Sequence, residues 1–378
     1  MKVALIHDWL TGMRGGEKVL EVFCEIFPEA DLYTLIHIPG SVSNIIENRK
    51  IKTSFVQRLP LVKKRYRAYL PLFPMAIESF NLNGYDLILS SSHCVAKGVI
   101  PSPKTLHISY IHTPMRYVWD MYYEYFGNKE GKLSGKAIAA FSHYLRMWDA
   151  SSSSRVDHYI ANSRHVAKRV EKFYRRDSAV INPPVDCGRF SLLDSKGDDF
   201  YLIVSAFAPY KRLDIAVEAF NKIGAKLKII GTGQDEQKLK SMAGANIEFL
   251  GWKSDAEIAD YYRRCRALIF PGEEDFGIVP LEAMACGRPV IAFGKGGALE
   301  TIVPFEGTGK ANSGHPTGIF FYRQTPEALI EAINILENNP RSFEPSAIRN
   351  HALLFDRPIF KEKIKEFVTE KYNEFTGK

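Results

Sequence analysis

The sequence predicts an α/β protein of two domains, each built on a parallel sheet. Three observations lead there. The 378 residues exceed one ordinary domain and suit two of about 150–200. Short apolar runs bounded by Gly, Pro or Asp alternate with longer segments of helical period, the pattern of strand–helix–strand folding. A stiff, non-helical connector, Asn182-Pro183-Pro184-Val185-Asp186, breaks that rhythm near the middle. An apolar fraction of 46% with 25% charged residues is globular, which excludes a disordered chain or a coiled coil.

In the first half, residues 3–6 read as a buried strand, followed by a glycine-rich turn and a helix over 17–27. Val19, Leu20, Phe23, Ile26 and Phe27 form one apolar stripe on that helix. Further strands are expected at 86–90, 106–111 and 158–161, the second leading into His112-Thr113-Pro114. The domain boundary should fall between the proline connector and the polar stretch 195–199. A second series follows, with strands at 201–205 and 227–230 flanking a helix over 213–223, and then the turn Gly231-Thr232-Gly233. Ser254-Asp255-Ala256-Glu257 makes a capping box for the next helix. Strands at 267–270 and 290–293 flank a helix around 280–285, ended by Gly287, and Gly294–Gly297 form another glycine turn. Thr325-Pro326-Glu327 opens a late helix with proline in its first position.

No run of about 18 apolar residues exists, so no membrane-spanning helix is expected. The first apolar run breaks at His7-Asp8, too early for a signal-peptide core. Five scattered cysteines with no C-x-x-C spacing argue for reduced thiols in a cytoplasmic protein, without a disulfide frame or zinc site. The net charge of +7 is uneven: residues 1–190 hold 26 Lys+Arg against 17 Asp+Glu, and the remainder 24 against 26. A basic first half suits a phosphorylated substrate, anionic lipid or nucleic acid, and no nucleic-acid motif accompanies the charge.

Three segments carry chemistry. In Thr11-Gly12-Met13-Arg14-Gly15-Gly16-Glu17, Gly15 and Gly16 let N–H groups approach an anion at a helix N-terminus; the other reading is a tight turn. In Pro209-Tyr210-Lys211-Arg212-Leu213-Asp214, two cations follow a strand and suit a diphosphate, unless they are solvated surface charges. The most informative is residues 271–282, where Glu274 and Glu282 stand at a strand end and one turn into a helix. Both can accept hydrogen bonds from sugar hydroxyls. The N–H groups of Phe276, Gly277 and Ile278 can meet phosphate oxygens there. Paired carboxylates also fit a metal or a glycosidase, but the adjoining N–H nest favours a sugar nucleotide. No convincing D-x-D pair argues for a metal.

On these residues the chain resembles the retaining glycosyltransferases of family 4, over essentially its whole length. The resemblance rests on Gly15-Gly16-Glu17, His112-Thr113-Pro114, Pro209-Tyr210-Lys211-Arg212, Phe249-Leu250-Gly251-Trp252, Glu274 and Glu282 around Asp275-Phe276-Gly277, and Gly287-Arg288-Pro289-Val290-Ile291-Ala292. The first half is similar to a subgroup called mannosyltransferases of surface polysaccharide assembly. The resemblance implies the GT-B fold, two Rossmann-like domains facing each other across a cleft. Residues 1–185 would form the acceptor-side domain and 186–356 the nucleotide-sugar-binding domain. Residues 357–378 would be a last helix crossing back to the first domain.

Carried over by position, Lys211 would pair with the donor diphosphate, with Arg212 beside it. Glu282 would hold the ribose, and Glu274 the hydroxyls of the transferred sugar. The backbone of Phe276, Gly277 and Ile278 would meet the distal phosphate. Gly15 and Gly16 would approach the diphosphate across the cleft, and His112 would lie near the reacting centre. The family's reaction needs no cofactor and typically no metal: a nucleoside-diphosphate sugar, GDP-mannose in this subgroup, is the donor. Front-side attack would retain configuration, and domain closure would exclude water. The acceptor would be a glycan or a lipid-linked sugar. The basic, apolar stretch 58–73 would either rest on the inner face of the plasma membrane or form a solvated loop and helix. One position departs from the pattern: Ala206 stands where the family commonly has a second diphosphate cation. A sugar-nucleotide epimerase of the same fold and a catalytically silent binding protein are the competing classes.

Overall fold

The computed structural model describes residues 1–126, 133–193, 197–307 and 315–377; Ser195 and Lys196 of the polar stretch lie outside them. The chain divides into two units, Met1–Pro184 with Pro358–Lys378, and Val185–Arg357. Each is a parallel sheet covered by helices.

The first unit has seven strands: β1 (Val3–His7), β2 (Asp31–Thr34), β3 (Ile51–Thr53), β4 (Leu87–Ser92), β5 (Leu106–Ile111), β6 (His158–Ala161) and β7 (Ser178–Val180). They pair in parallel in the order β3-β2-β1-β4-β5-β6-β7. Side chains alternate between two cores. Val3 and Leu5 face one with Leu20, Phe23, Leu89 and Ile108, whereas Ala4 and Ile6 face the other with Phe73, Ile77, Ile88 and Leu145. The last helix, Arg357–Thr376, buries Phe360, Ile364 and Val368 in the first of these cores.

The second unit has β8 (Tyr201–Val204), β9 (Leu227–Ile230), β10 (Ile247–Gly251), β11 (Leu268–Phe270), β12 (Val290–Phe293) and β13 (Gly318–Phe321), in the order β10-β9-β8-β11-β12-β13. All pairings are parallel. The expected capping box forms, with the Ser254 side chain accepting from Glu257 N–H and Glu257 accepting from Ser254 N–H. Thr325 caps the helix Pro326–Asn338 through its side chain alone, which accepts from Ala328 N–H at 3.3 Å.

Five strands were not read from the sequence: β2, β3, β7, β10 and β13. β3 and β7 are three-residue strands at the sheet edges, too short for a period to show. Two boundaries also move. Gly15 and Gly16 belong to the first turn of the helix Gly15–Ile26 and not to a loop before it. The segment 58–73 is a run of short helices, including Val62–Arg65 and Tyr66–Leu72.

Both sheets reverse their order at the middle. β1 and β4 are neighbours but send their following segments to opposite sides, and so do β8 and β11. In open parallel sheets such a switch point opens a crevice at the carboxyl ends of the strands. At the first of them Asp8, fully buried, closes the structure. Its Oδ2 accepts the backbone N–H of His93 and Cys94 at 2.7 and 2.9 Å, and Oδ1 those of Val95 and Ala96 at 2.6 and 2.7 Å. His93 Nδ1 lies 3.0 Å from Oδ2. Burial alone would raise the Asp8 pKa, but the charge and hydrogen bonds of His93 hold it well below the usual carboxylate range.

Asp8→Asn keeps the shape but loses the charge and turns an N–H2 toward N–H donors. It should cost about 3–5 kcal/mol in urea unfolding. Because the folded pKa is depressed, the carboxylate's contribution is complete above the ordinary aspartate value of about 4 and drains as pH falls below it. The Asn variant should therefore lose less stability than the native chain on acidification. Equal acid sensitivity of the two proteins would contradict this role.

Candidate active site

At the β8/β11 switch point two loops meet. After β8, a turn at Pro209–Lys211 ends in Arg212, held in the left-handed region at φ 52°, before the helix Leu213–Ile223. After β11, the chain runs through Gly272, Glu273 and Glu274 to Gly277 and the helix Ile278–Ala285. Gly272 allows the contact, since a Cβ there would lie 2.8 Å from Lys211 Cα. The Lys211 ammonium forms an ion pair with Glu274 Oε1, both side chains being less than one-fifth exposed. The glycine turn after β12 supports this loop, with Gly297 N–H donating to Glu274 O at 2.8 Å.

Behind this pair, Glu282 is 9% exposed and its Oε2 accepts from the buried Tyr262 hydroxyl at 3.1 Å. Burial, then the charge and hydrogen bond of Glu282, push the Tyr262 hydroxyl pKa well up, so the tyrosine stays a donor. Among the described residues, the N–H groups of Phe276, Gly277 and Ile278 have no acceptor. The structure thus brings Lys211, Glu274, Glu282 and this N–H row to one end of one sheet. Arg212 is placed differently. Its guanidinium grips Asp214, with Nε 3.1 Å from Oδ1 and Nη2 3.2 Å from Oδ2, so the aspartate explains the cation without a ligand. Ala206 is exposed on the same loop and brings no charge.

The β1/β4 switch point holds the other candidates. His112, half-buried after β5, places Nε2 2.8 Å from Ser91 Oγ and gives its carbonyl to Asn162 Nδ2 at 2.9 Å. Arg169, almost buried, steadies the following turn by donating to Thr113 Oγ1 at 2.7 Å. Burial, then the charge of His93, push the His112 pKa down to about 3, so the ring is neutral. Gly16 lies against it: a Cβ there would be 3.4 Å from His7 Cε1 and 3.5 Å from His112 Nε2, in van der Waals contact. The N–H groups of Gly15 and Gly16 have no acceptor among the described residues.

Sequence reasoning did not single out His7, Ser91 or His93 as site residues. His7 Nδ1 is 3.1 Å from Ser91 Oγ, and His93 lies between Asp8 and the two other imidazoles. Burial pulls the His93 pKa down, but the charge and hydrogen bond of Asp8 outweigh it and raise the value above the ordinary one. A signal was present in His7-Asp8, two polar residues ending an apolar strand. Nearby, Arg14 joins Lys64, Arg65 and Arg67 around a cavity of about 420 Å³ that Tyr66 also lines. None of these four cations has a carboxylate partner among the described residues. Among the described residues no group of three or more His, Cys, Asp or Glu side chains is placed to share a metal ion, and no described helix is long and apolar enough to cross a membrane.

Two family profiles match successive parts of the chain, "Glycosyltransferase Family 4" over residues 15–189 and "Glycosyl transferases group 1" over 188–352. An uncharacterised glycosyltransferase of Methanocaldococcus jannaschii is 32% identical over 194 residues, covering 50% of this chain and 52% of its own. The chain thus spans about half the length of that relative. The alpha-1,3/1,6-mannosyltransferase ALG2 of Saccharomyces cerevisiae is 25% identical over 84% of this chain and 72% of its own. Sucrose-phosphate synthase of Thermosynechococcus elongatus superposes with a TM-score of 0.74 over 99% of this chain and 100% of its own, at 16% identity, a likeness of fold. With its two parallel-sheet units and both profiles, the chain belongs to glycosyltransferase family 4 and has the GT-B fold.

Proposed function

We propose that the protein transfers a sugar, mannose in the leading reading, from a nucleoside-diphosphate sugar to a glycan or lipid-linked acceptor with retention of configuration. GDP-mannose is the donor we favour, on the resemblance to mannosyltransferases. The single observation that carries the reading is the meeting of Lys211 and Glu274 beside the unpaired N–H row of Phe276–Ile278, with Glu282 anchored behind by Tyr262. A cation and convergent N–H donors suit a diphosphate on which charge grows as the glycosidic bond breaks. In this reading Glu274 takes sugar hydroxyls once Lys211 turns to phosphate, and Glu282 takes the ribose.

In the first unit, Gly15 and Gly16 offer N–H groups to phosphate, and neutral His112 offers a ring nitrogen to the sugar. The grip of Asp214 makes Arg212 a weaker candidate for the diphosphate than Lys211. The cavity of Arg14, Lys64, Arg65 and Arg67 fits a phosphorylated acceptor. It gives 58–73 a reason to be basic whether or not it rests on lipid.

Three outcomes test this. A matching nucleoside-diphosphate sugar should raise the thermal transition, by the equivalent of about 2.7 kcal/mol at a hundredfold excess over Kd; a full panel without any shift would remove the donor site. Glu274→Ala should lower transfer at least about a hundredfold with the fold intact. It should still bind free nucleoside diphosphate as tightly as the native chain or better, since Lys211 loses its internal partner. Near-native transfer would take Glu274 away from the reacting centre. Replacing Lys64, Arg65 and Arg67 together by Ala should raise KM for a phosphorylated acceptor, the effect shrinking at high salt, and leave donor binding unchanged. An unchanged KM at low salt would empty that cavity of its role.

A further inference from the structure

The hydroxyl of Ser91 stands between two imidazoles, 3.1 Å from His7 Nδ1 and 2.8 Å from His112 Nε2. A serine hydroxyl has one proton, so it donates to one ring and accepts from the other. The far end of the chain decides which. His7 Nε2 is buried, makes no hydrogen bond among the described residues, and faces Glu17 Oε1 at 3.6 Å. That separation is too long for a hydrogen bond, but an ionised carboxylate there favours a nitrogen bearing a proton over one bearing a lone pair. Burial alone would raise the Glu17 pKa, yet the His7 ring beside it, then the charge of His93, hold it below the ordinary value. Glu17 is itself oriented, because Oε2 accepts the Arg14 N–H at 3.0 Å.

A His7 ring that carries its single proton on Nε2, toward Glu17, presents a lone pair at Nδ1, and that lone pair takes the Ser91 proton. Ser91 Oγ must then accept, so His112 donates from Nε2. We propose that Glu17, His7 and Ser91 form a hydrogen-bond relay that fixes His112 as the neutral Nε2–H tautomer and presents its Nδ1 lone pair to a substrate hydroxyl. The three are positioning residues, since they act on the substrate only through His112. Burial of His7, Ser91 and Glu17 and the close approach of Gly16 shield the relay from water, which would otherwise scramble its direction. His93, 6.1 Å from the His7 ring and 6.4 Å from that of His112, is occupied by Asp8 and does not compete for Ser91.

The relay deepens the proposed function and rests on it only for the use made of Nδ1. Long-range ¹H–¹⁵N NMR of the histidine-labelled full chain reads the tautomer directly, with His112 assigned by its loss in His112→Gln. The native ring should be Nε2-protonated. Ser91→Ala should give a mixture of tautomers. In Glu17→Gln the side-chain oxygen still takes the Arg14 N–H and the N–H2 faces His7, so His112 should turn to the Nδ1–H form. This variant also reads the relay should Ser91→Ala fold poorly. On transfer, Ser91→Ala should lower kcat about ten- to a hundredfold with little change in donor KM, and Ser91→Thr should restore most of it. An Nδ1-protonated native His112, or the same tautomer in native, Ser91→Ala and Glu17→Gln proteins, overturns the relay. A tautomer that responds while kcat does not upholds the relay and removes His112 from the reacting centre.

Discussion

The reversal of strand order in each sheet is the constraint on which both candidate sites depend. Parallel strands need crossover connections, and all the loops that follow them emerge at one edge. Where crossovers leave toward opposite faces, two neighbouring loops diverge and room for a ligand opens between them. In this chain the candidate site residues, His112, Lys211, Glu274 and Glu282 with the unpaired N–H groups near them, gather around β1/β4 and β8/β11. The rest of each unit, from the alternating core side chains to the helix caps, holds those strand ends in place.

The two switch points satisfy a carboxylate drawn away from water in opposite ways. Asp8 is satisfied by four backbone N–H groups and His93, partners that are part of the fold and cannot be exchanged. Glu274 is satisfied by Lys211, a flexible side chain whose charge a phosphate could claim. The first arrangement fixes a framework and the second leaves a site that can rearrange. Arg212, forked onto Asp214, resembles the first more than the second.

Much of this was legible in the amino-acid order. Buried parallel strands read as short apolar runs, and eight of the thirteen were found that way. Ser254 and Thr325 capped helices as their spacing implied. Edge strands such as β3 and β7 were hidden because three residues hold no period and only the neighbouring strand makes them extended. Lys211, Glu274 and Glu282 stood out as charges following apolar strands. His7, Ser91 and His93 did not, for they look like ordinary polar residues until β1 and β4 become neighbours.

By itself, the sequence determined the α/β class, the basic and near-neutral halves, and the family, because periodicity, charge and motif spacing are properties of neighbouring residues. Which groups share a proton or a charge was decided only by the tertiary structure. Hydrogen bonds and ion pairs act over about 3–4 Å, and strand order alone brings Asp8 to His93, Lys211 to Glu274 and His7 through Ser91 to His112.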